Sequence, residues 1–202
     1  MKKILIIAVL ISLCAGTHAQ EKRYEIKSGI VTMEMDVMGQ AIVQKLYFDD
    51  YGLKYANTSE LGGRQIRRKE VGNEQIMIND TERTATKMPA MSIETNSINF
   101  LNLTEQVVKK NKIKEIGQEE IAGKPCTKYT YKVLMMGQAR SVNVWIYKGI
   151  TLKTSAKTDF GEIVITATNI EEDVQIDPSM FTIPEGVEIQ EMNMGMMGGG
   201  GF

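Results

Sequence analysis

The sequence predicts a mainly β protein, an antiparallel meander that covers one short helix. Three observations carry this. Apolar and polar residues alternate with period two through most of the chain, as half-buried strands require. Tight-turn signals punctuate the alternation, among them Met-Gly-Gln-Ala, which occurs at both Met38–Ala41 and Met136–Ala139. A single stretch, "NLTEQVVKKNK", carries helical signals.

The repeated tetrapeptide sets the first expectation. If Gly39-Gln40 is a two-residue loop, glycine takes the first place of a type II′ turn, where φ is positive. The register then pairs Val37 with Ile42, Met35 with Gln44, Met33 with Leu46 and Val31 with Phe48 on one apolar face. The other face sets Glu34 against Lys45 and Thr32 against Tyr47, an opposite-charge pair in water. The same turn at Gly137-Gln138 pairs Val133 with Val142, Tyr131 with Val144 and Tyr129 with Ile146, with Arg140 at the mouth. Its outer face sets Lys132 against Asn143, Thr130 against Trp145 and Lys128 against Tyr147.

Further along, Tyr51-Gly52 turns the chain into "GLKYANT". Arg64–Asp80 reads as a hairpin about "GNE", and Leu152–Ile170 as another about Asp159-Phe160-Gly161. In the helix, Asn102 is placed as the cap with Glu105 three residues on, and Val107 and Val108 form the apolar side. The segment Thr81–Asn99 has weak periodicity and contains Pro89, so it reads as a loop or irregular edge. Near the end, Asp177 caps a short turn with Pro178 at its first position, and a last strand follows.

The start of the chain bears on compartment. Lys2 and Lys3 precede the apolar run Ile4–Leu13, and Thr17-His18-Ala19 has the small residues of a cleavage site. Residues 1–19 are therefore expected to be a signal peptide, 20–191 the β domain and 192–202 a flexible tail. A lipoprotein attached at Cys14 is the competing reading. Leu13 stands against it, where a small residue is usual. Export to the periplasm of a Gram-negative bacterium follows, with no spanning helix after cleavage.

Cleavage would remove Lys2 and Lys3 from the 24 basic residues, leaving 22 against 25 acidic ones. That balance argues against nucleic acid as a partner. It would also remove His18, the only histidine, and Cys14, leaving Cys126 as the sole cysteine. Imidazole general-base catalysis and the common zinc sites then lack their residues.

A family resemblance adds to this. "KLYFDDYGLKY", "INFLNLTEQVVKKNKIKEIGQEEIAGKPCTKYTY", "VWIYKGITLK" and "FTIPEGVEI" occur in that order. Together they resemble exported proteins of unknown function related to the LolA/LolB-like periplasmic lipoprotein carriers. The resemblance spans Tyr24–Glu191, and its most specific parts are Glu119–Cys126 and Phe181–Gly186. It implies an incomplete, half-open antiparallel β-barrel curled over a short helix, with an apolar concave face for a lipid or acyl chain. The carriers' lipid-binding residues, including an arginine of the barrel interior, find no matching positions.

Three functions compete. In the first, the protein is a non-enzymatic carrier whose inner face is Met33, Met35, Leu46, Phe48, Tyr129, Tyr131, Val144 and Ile146. Methionine suits such a face because its thioether adapts to varied shapes. The plainer alternative is that these residues pack on the helix near Val107 and Val108. Thr81–Asn99 is then expected to act as a lid, with Met88, Met91 and Ile93 turned inward. In the second, Met192, Met194, Met196 and Met197 bind Cu(I), which thioethers select. The run of glycines beside them favours a flexible tail without a metal. In the third, the protein is an enzyme built on Asp49-Asp50 or Glu119-Glu120. Adjacent strand residues point to opposite faces, so neither pair converges on a substrate. No enzyme activity and no cofactor are expected. Cys126 reads as a small buried hydrophobe. The sequence carries no signal of oligomeric state.

Overall fold

The computed structural model describes residues 21–37, 40–61, 64–71, 74–89, 98–135, 138–158 and 161–191. The expected leader and the methionine-rich tail, with Met192, Met194, Met196 and Met197, lie outside these residues.

The alternating runs form twelve strands. In order they are β1 (Gly29–Val37), β2 (Gln40–Asp49), β3 (Lys54–Leu61), β4 (Arg64–Val71), β5 (Glu74–Asn79) and β6 (Thr84–Pro89). After helix α1 (Glu105–Asn111) come β7 (Lys114–Ile121), β8 (Lys124–Met135), β9 (Gln138–Tyr147), β10 (Ile150–Thr158), β11 (Gly161–Glu172) and β12 (Glu188–Glu191). Their order is β12-β6-β5-β4-β3-β2-β1-β11-β10-β9-β8-β7. Two meanders are therefore joined back to back by β1 and β11, and the sheet is not closed on itself. Every ladder is antiparallel except β12 against β6. This is the open, mainly antiparallel half-barrel over a short helix that the sequence predicted. Its long edge strand, β7, is blunted by charged residues and by a bulge at Gly117, the usual protection against unwanted pairing.

Both Met-Gly hairpins form, but each is shifted by two residues from the expected register. Val37 pairs with Gln40, Met35 with Ile42, Met33 with Gln44 and Val31 with Leu46. Glu34 meets Val43, and Lys45 meets Thr32. In the second hairpin Met135 pairs with Gln138, Val133 with Arg140, Tyr131 with Val142 and Tyr129 with Val144. Residues 38–39 and 136–137 are thus the connections, not 39–40 and 137–138. The positive φ expected at Gly39 and Gly137 lies outside the described residues. Glycine is favoured second in a type I′ loop and first in a type II′ loop, so its presence did not choose between them. A shift of two leaves each side chain on its face, and the inner and outer sets stand as expected. The outer contacts fit the actual register. Lys132 donates to Ser141 Oγ at 2.6 Å, and the Lys128 ammonium lies 4.5 Å from the Trp145 ring centre.

Two other expectations change. Thr104, not Asn102, caps α1: its hydroxyl accepts from the Val107 amide. Asn102 instead donates to Glu21. The segment read as a loop contains β6, which pairs with β5 through Thr84↔Asn79 to Pro89↔Glu74. Proline closes the strand at its end, where a missing N–H costs least. Met88 belongs to that strand, while Met91 and Ile93 lie outside the described residues. The hairpin β4–β5, the turn after Asp49, the β10–β11 hairpin and the Asp177-capped turn at Pro178–Phe181 form as predicted.

The core lies on two faces. On the concave face, Val31, Leu46, Phe48, Ala167 and Ile170 pack in one cluster. Tyr131, Val133, Val142, Val144 and Ile146 pack in a second, beneath Val107, Val108 and Phe100. On the convex face of β4–β6, Ile76, Ile78 and Ala85 are covered by Ile183 and Val187 of the C-terminal segment. Arg67, only 5% exposed, pins that segment in place. It donates to both Asp80 oxygens, at 2.8 and 3.2 Å, and to the carbonyls of Ser179 and Thr182, at 2.5 and 3.0 Å.

Candidate functional site

The two concave clusters do not meet. Between them lies a cavity of about 380 Å³. Its walls come from both meanders: Met33, Gln44 and Leu46 of β1 and β2, Tyr55 and Asn57 of β3, and Tyr131, Val142 and Val144 of β8 and β9. Thr154 and Ala156 of β10, Ile163 and Ile165 of β11, and Ile98 and Phe100 of the segment before α1 add to them. The volume lies within the range of about 300–1,000 Å³ common for ligand sites, and a mostly apolar lining with a few polar groups is typical of them.

One end is built by the segment before β1. The amides of Arg23 and Tyr24 both donate to the Tyr51 carbonyl at 3.0 Å, and the Glu25 amide donates to the Lys148 carbonyl at 3.1 Å. The segment therefore bridges the turns after β2 and β9. Two glycines permit this. Gly149, at φ 84°, would place a Cβ 2.3 Å from the Arg23 carbonyl oxygen. Gly52, at φ 83°, would place one 2.6 Å from the Tyr24 ring. Tyr24 then stands edge-on to Phe48, their ring centres 4.9 Å apart.

Four of the residues proposed from sequence, Met33, Leu46, Tyr131 and Val144, line this cavity. The others do not. Phe48 is fully buried against Tyr24. Tyr129 and Ile146 belong to the cluster beneath the helix, Tyr129 5.4 Å from the Phe100 ring. Met35 is half-buried on the same face, opposite Ile42 and Ile165. Val107 and Val108 pack against the same cluster as Tyr129 and Ile146. Gln44 and Asn57 were missed as wall residues. Their signal was available, since a polar side chain at an inward position of an apolar strand needs a reason.

The cavity holds no acid–base pair among the described residues. Burial pushes the Tyr131 hydroxyl up to about 12, so it stays neutral. Asp49 lies 3.8 Å from Lys54, and Asp50 sits in the following turn. Glu119 accepts from the Trp145 indole at 2.6 Å and from Lys153 at 3.3 Å. Cys126 is buried, its thiol pushed up by desolvation and donating to the Lys124 carbonyl.

No family model matches the chain, and no curated protein is recognisably similar to it in sequence. Solved structures do share the fold. An uncharacterized conserved protein from Thermus thermophilus superposes with a TM-score of 0.55 at 9% identity, covering 84% of this chain and 95% of its own. A chain of the Pseudomonas aeruginosa MucA/MucB complex superposes with a TM-score of 0.50 at 10% identity, covering 77% of this chain and 55% of its own. At such identities the likeness is one of fold. No helix among the described residues is long and apolar enough to cross a membrane.

Proposed function

We propose that the protein is a non-enzymatic binding protein or carrier for an apolar ligand, a lipid or acyl chain. On this reading residues 1–19 are a leader removed on export, and the protein works in the periplasm. The observation that carries the reading is the cavity between Met33 and Leu46 on one side and Tyr131 and Val144 on the other. A mostly apolar cleft of this size leaves part of the inner face in contact with water, which an apolar ligand would cover. Here α1, about 10 Å long at seven residues, packs chiefly on β8. An apolar ligand would complete the burial that the helix leaves unfinished.

The test is native mass spectrometry, with lipid extraction, of protein purified from its own host. A co-purifying apolar molecule that is lost in Leu46→Glu supports the reading. A ligand-free protein that also fails to bind any acyl probe in titration removes it.

A further inference from the structure

The cavity is not uniform. Its β9–β11 wall is mainly apolar, from Val142, Val144, Ala156, Ile163 and Ile165, with Thr154 among them. Its β2–β3 wall carries Gln44 and Asn57. Gln44 pairs with Ser59 and Leu46 with Asn57, so the two amides are diagonal neighbours on one face. Such neighbours have Cα atoms about 7–8 Å apart, close enough for both side chains to reach one small group. Neither amide has a partner among the described residues, so both keep their donors available. Beyond them the same face carries an arginine. Arg68 is the direct cross-strand partner of Asn57 and is exposed. Arg23, whose guanidinium lies 5.5 Å from the Tyr55 ring centre, also borders the cavity. The nearest acid placed on this face by register is Glu70, two residues along β4 from Arg68.

From this we infer that the site binds a single-chain amphiphile in one orientation. Its anionic oxygen head lies against Gln44, Asn57 and Arg68, and its tail runs toward Val142, Ile163 and Ile165. The inference rests on the carrier reading and narrows it, from any apolar ligand to one with a carboxylate-like head. Ile163 is 42% exposed at the tail end, so the chain can extend past it. Neutral amides donate to a carboxylate and offset part of its desolvation while burying no charge of the protein's own. The exposed arginine adds attraction that salt will screen.

Three fluorescent linear polyenes test this on the full mature protein: parinaric acid, its methyl ester, and diphenylhexatriene, a hydrocarbon without oxygen. The acid should bind tightest, with an advantage over the ester that shrinks as salt rises. Gln44→Leu with Asn57→Leu should weaken the acid by more than about tenfold, since one hydrogen bond to a charged group is worth about that much, and leave diphenylhexatriene unchanged. Arg68→Gln, a surface change that leaves the fold alone, should weaken the acid and not the ester. Equal binding of acid, ester and hydrocarbon by the wild type, or equal loss of all three in the amide variant, would overturn the orientation while leaving the carrier reading intact. A wild type that binds none of the three would overturn both.

Discussion

Arg67 shows how much can rest on one side chain. It is buried on the convex face, and its guanidinium joins Asp80 to two carbonyls of the turn at Pro178–Phe181. Removing it strands those acceptors and frees the cover over Ile76, Ile78 and Ala85. Arg67→Ala is expected to cost about 3–5 kcal/mol in denaturant unfolding. Arg67→Lys should recover little of that, because an ammonium cannot serve a bidentate carboxylate and two carbonyls at once. A loss under about 1 kcal/mol for Arg67→Ala would show that the C-terminal segment is held by its apolar contacts instead. Glu119 offers a second check. The Trp145 indole, and after it Lys153, hold its carboxyl below the ordinary 4.5. A depressed carboxylate contributes stability above its unfolded value and loses it as pH falls through the folded one. Trp145 is the only tryptophan, so its fluorescence should titrate with a midpoint below 4.5, and Glu119→Gln should abolish that titration. A midpoint at or above 4.5 would mean that the Glu119–Trp145 bond does not persist in solution.

At the level of strands and turns, the two hairpins separate what a sequence can specify from what it cannot. Alternation has period two, so Val31, Met33, Met35 and Leu46 were assigned to the inner face correctly. The same period is blind to a slip of two, and Glu34 faces Val43 rather than Lys45. A cysteine pair makes this decisive. Glu34→Cys with Val43→Cys should cross-link on oxidation, since directly paired Cα atoms lie within disulfide reach. Glu34→Cys with Lys45→Cys, a diagonal pair, should not. The reverse result would restore the register first expected. The helix tells a similar story: Thr104 and Asn102 are both good caps, and Thr104 takes the role while Asn102 donates to Glu21. The cavity was the part least open to sequence reading. Its walls depend on β1 pairing with β11 across most of the chain, and no local pattern in Met33 or Ala167 announces that they are partners. Hence Leu46 and Tyr131 could be proposed as inner-face residues, but Ile163 and Ile165 could not be placed beside them.

For the molecule as a whole, the question is whether the void is a packing defect or a site, and the two differ in how stability responds to filling it. A ligand that binds only the folded state adds RT ln(1 + [L]/Kd), about 2.7 kcal/mol at a hundredfold excess over Kd. For a domain of this size each kcal/mol raises the melting temperature by about 2–4 °C, so a saturating acyl ligand should shift it by roughly 5–10 °C. Ala156→Leu separates the alternatives. Ala156 is half-buried at the cavity wall, where added methyl groups have room. If the void is a defect, filling it stabilises the empty protein, as cavity-filling changes often do by about 0.5–2 kcal/mol, and ligand has no effect on either protein. If it is a site, Ala156→Leu should be as stable as the wild type or more so without ligand, yet lose most of the ligand-induced shift. Gly149→Ala is the matching control at the other end. It forces a Cβ onto the Arg23 carbonyl at a left-handed φ, so it should destabilise the protein with or without ligand. A wild type whose melting temperature does not move with any acyl ligand, beside an Ala156→Leu variant that melts higher, would identify the space between Leu46 and Val144 as unfilled core.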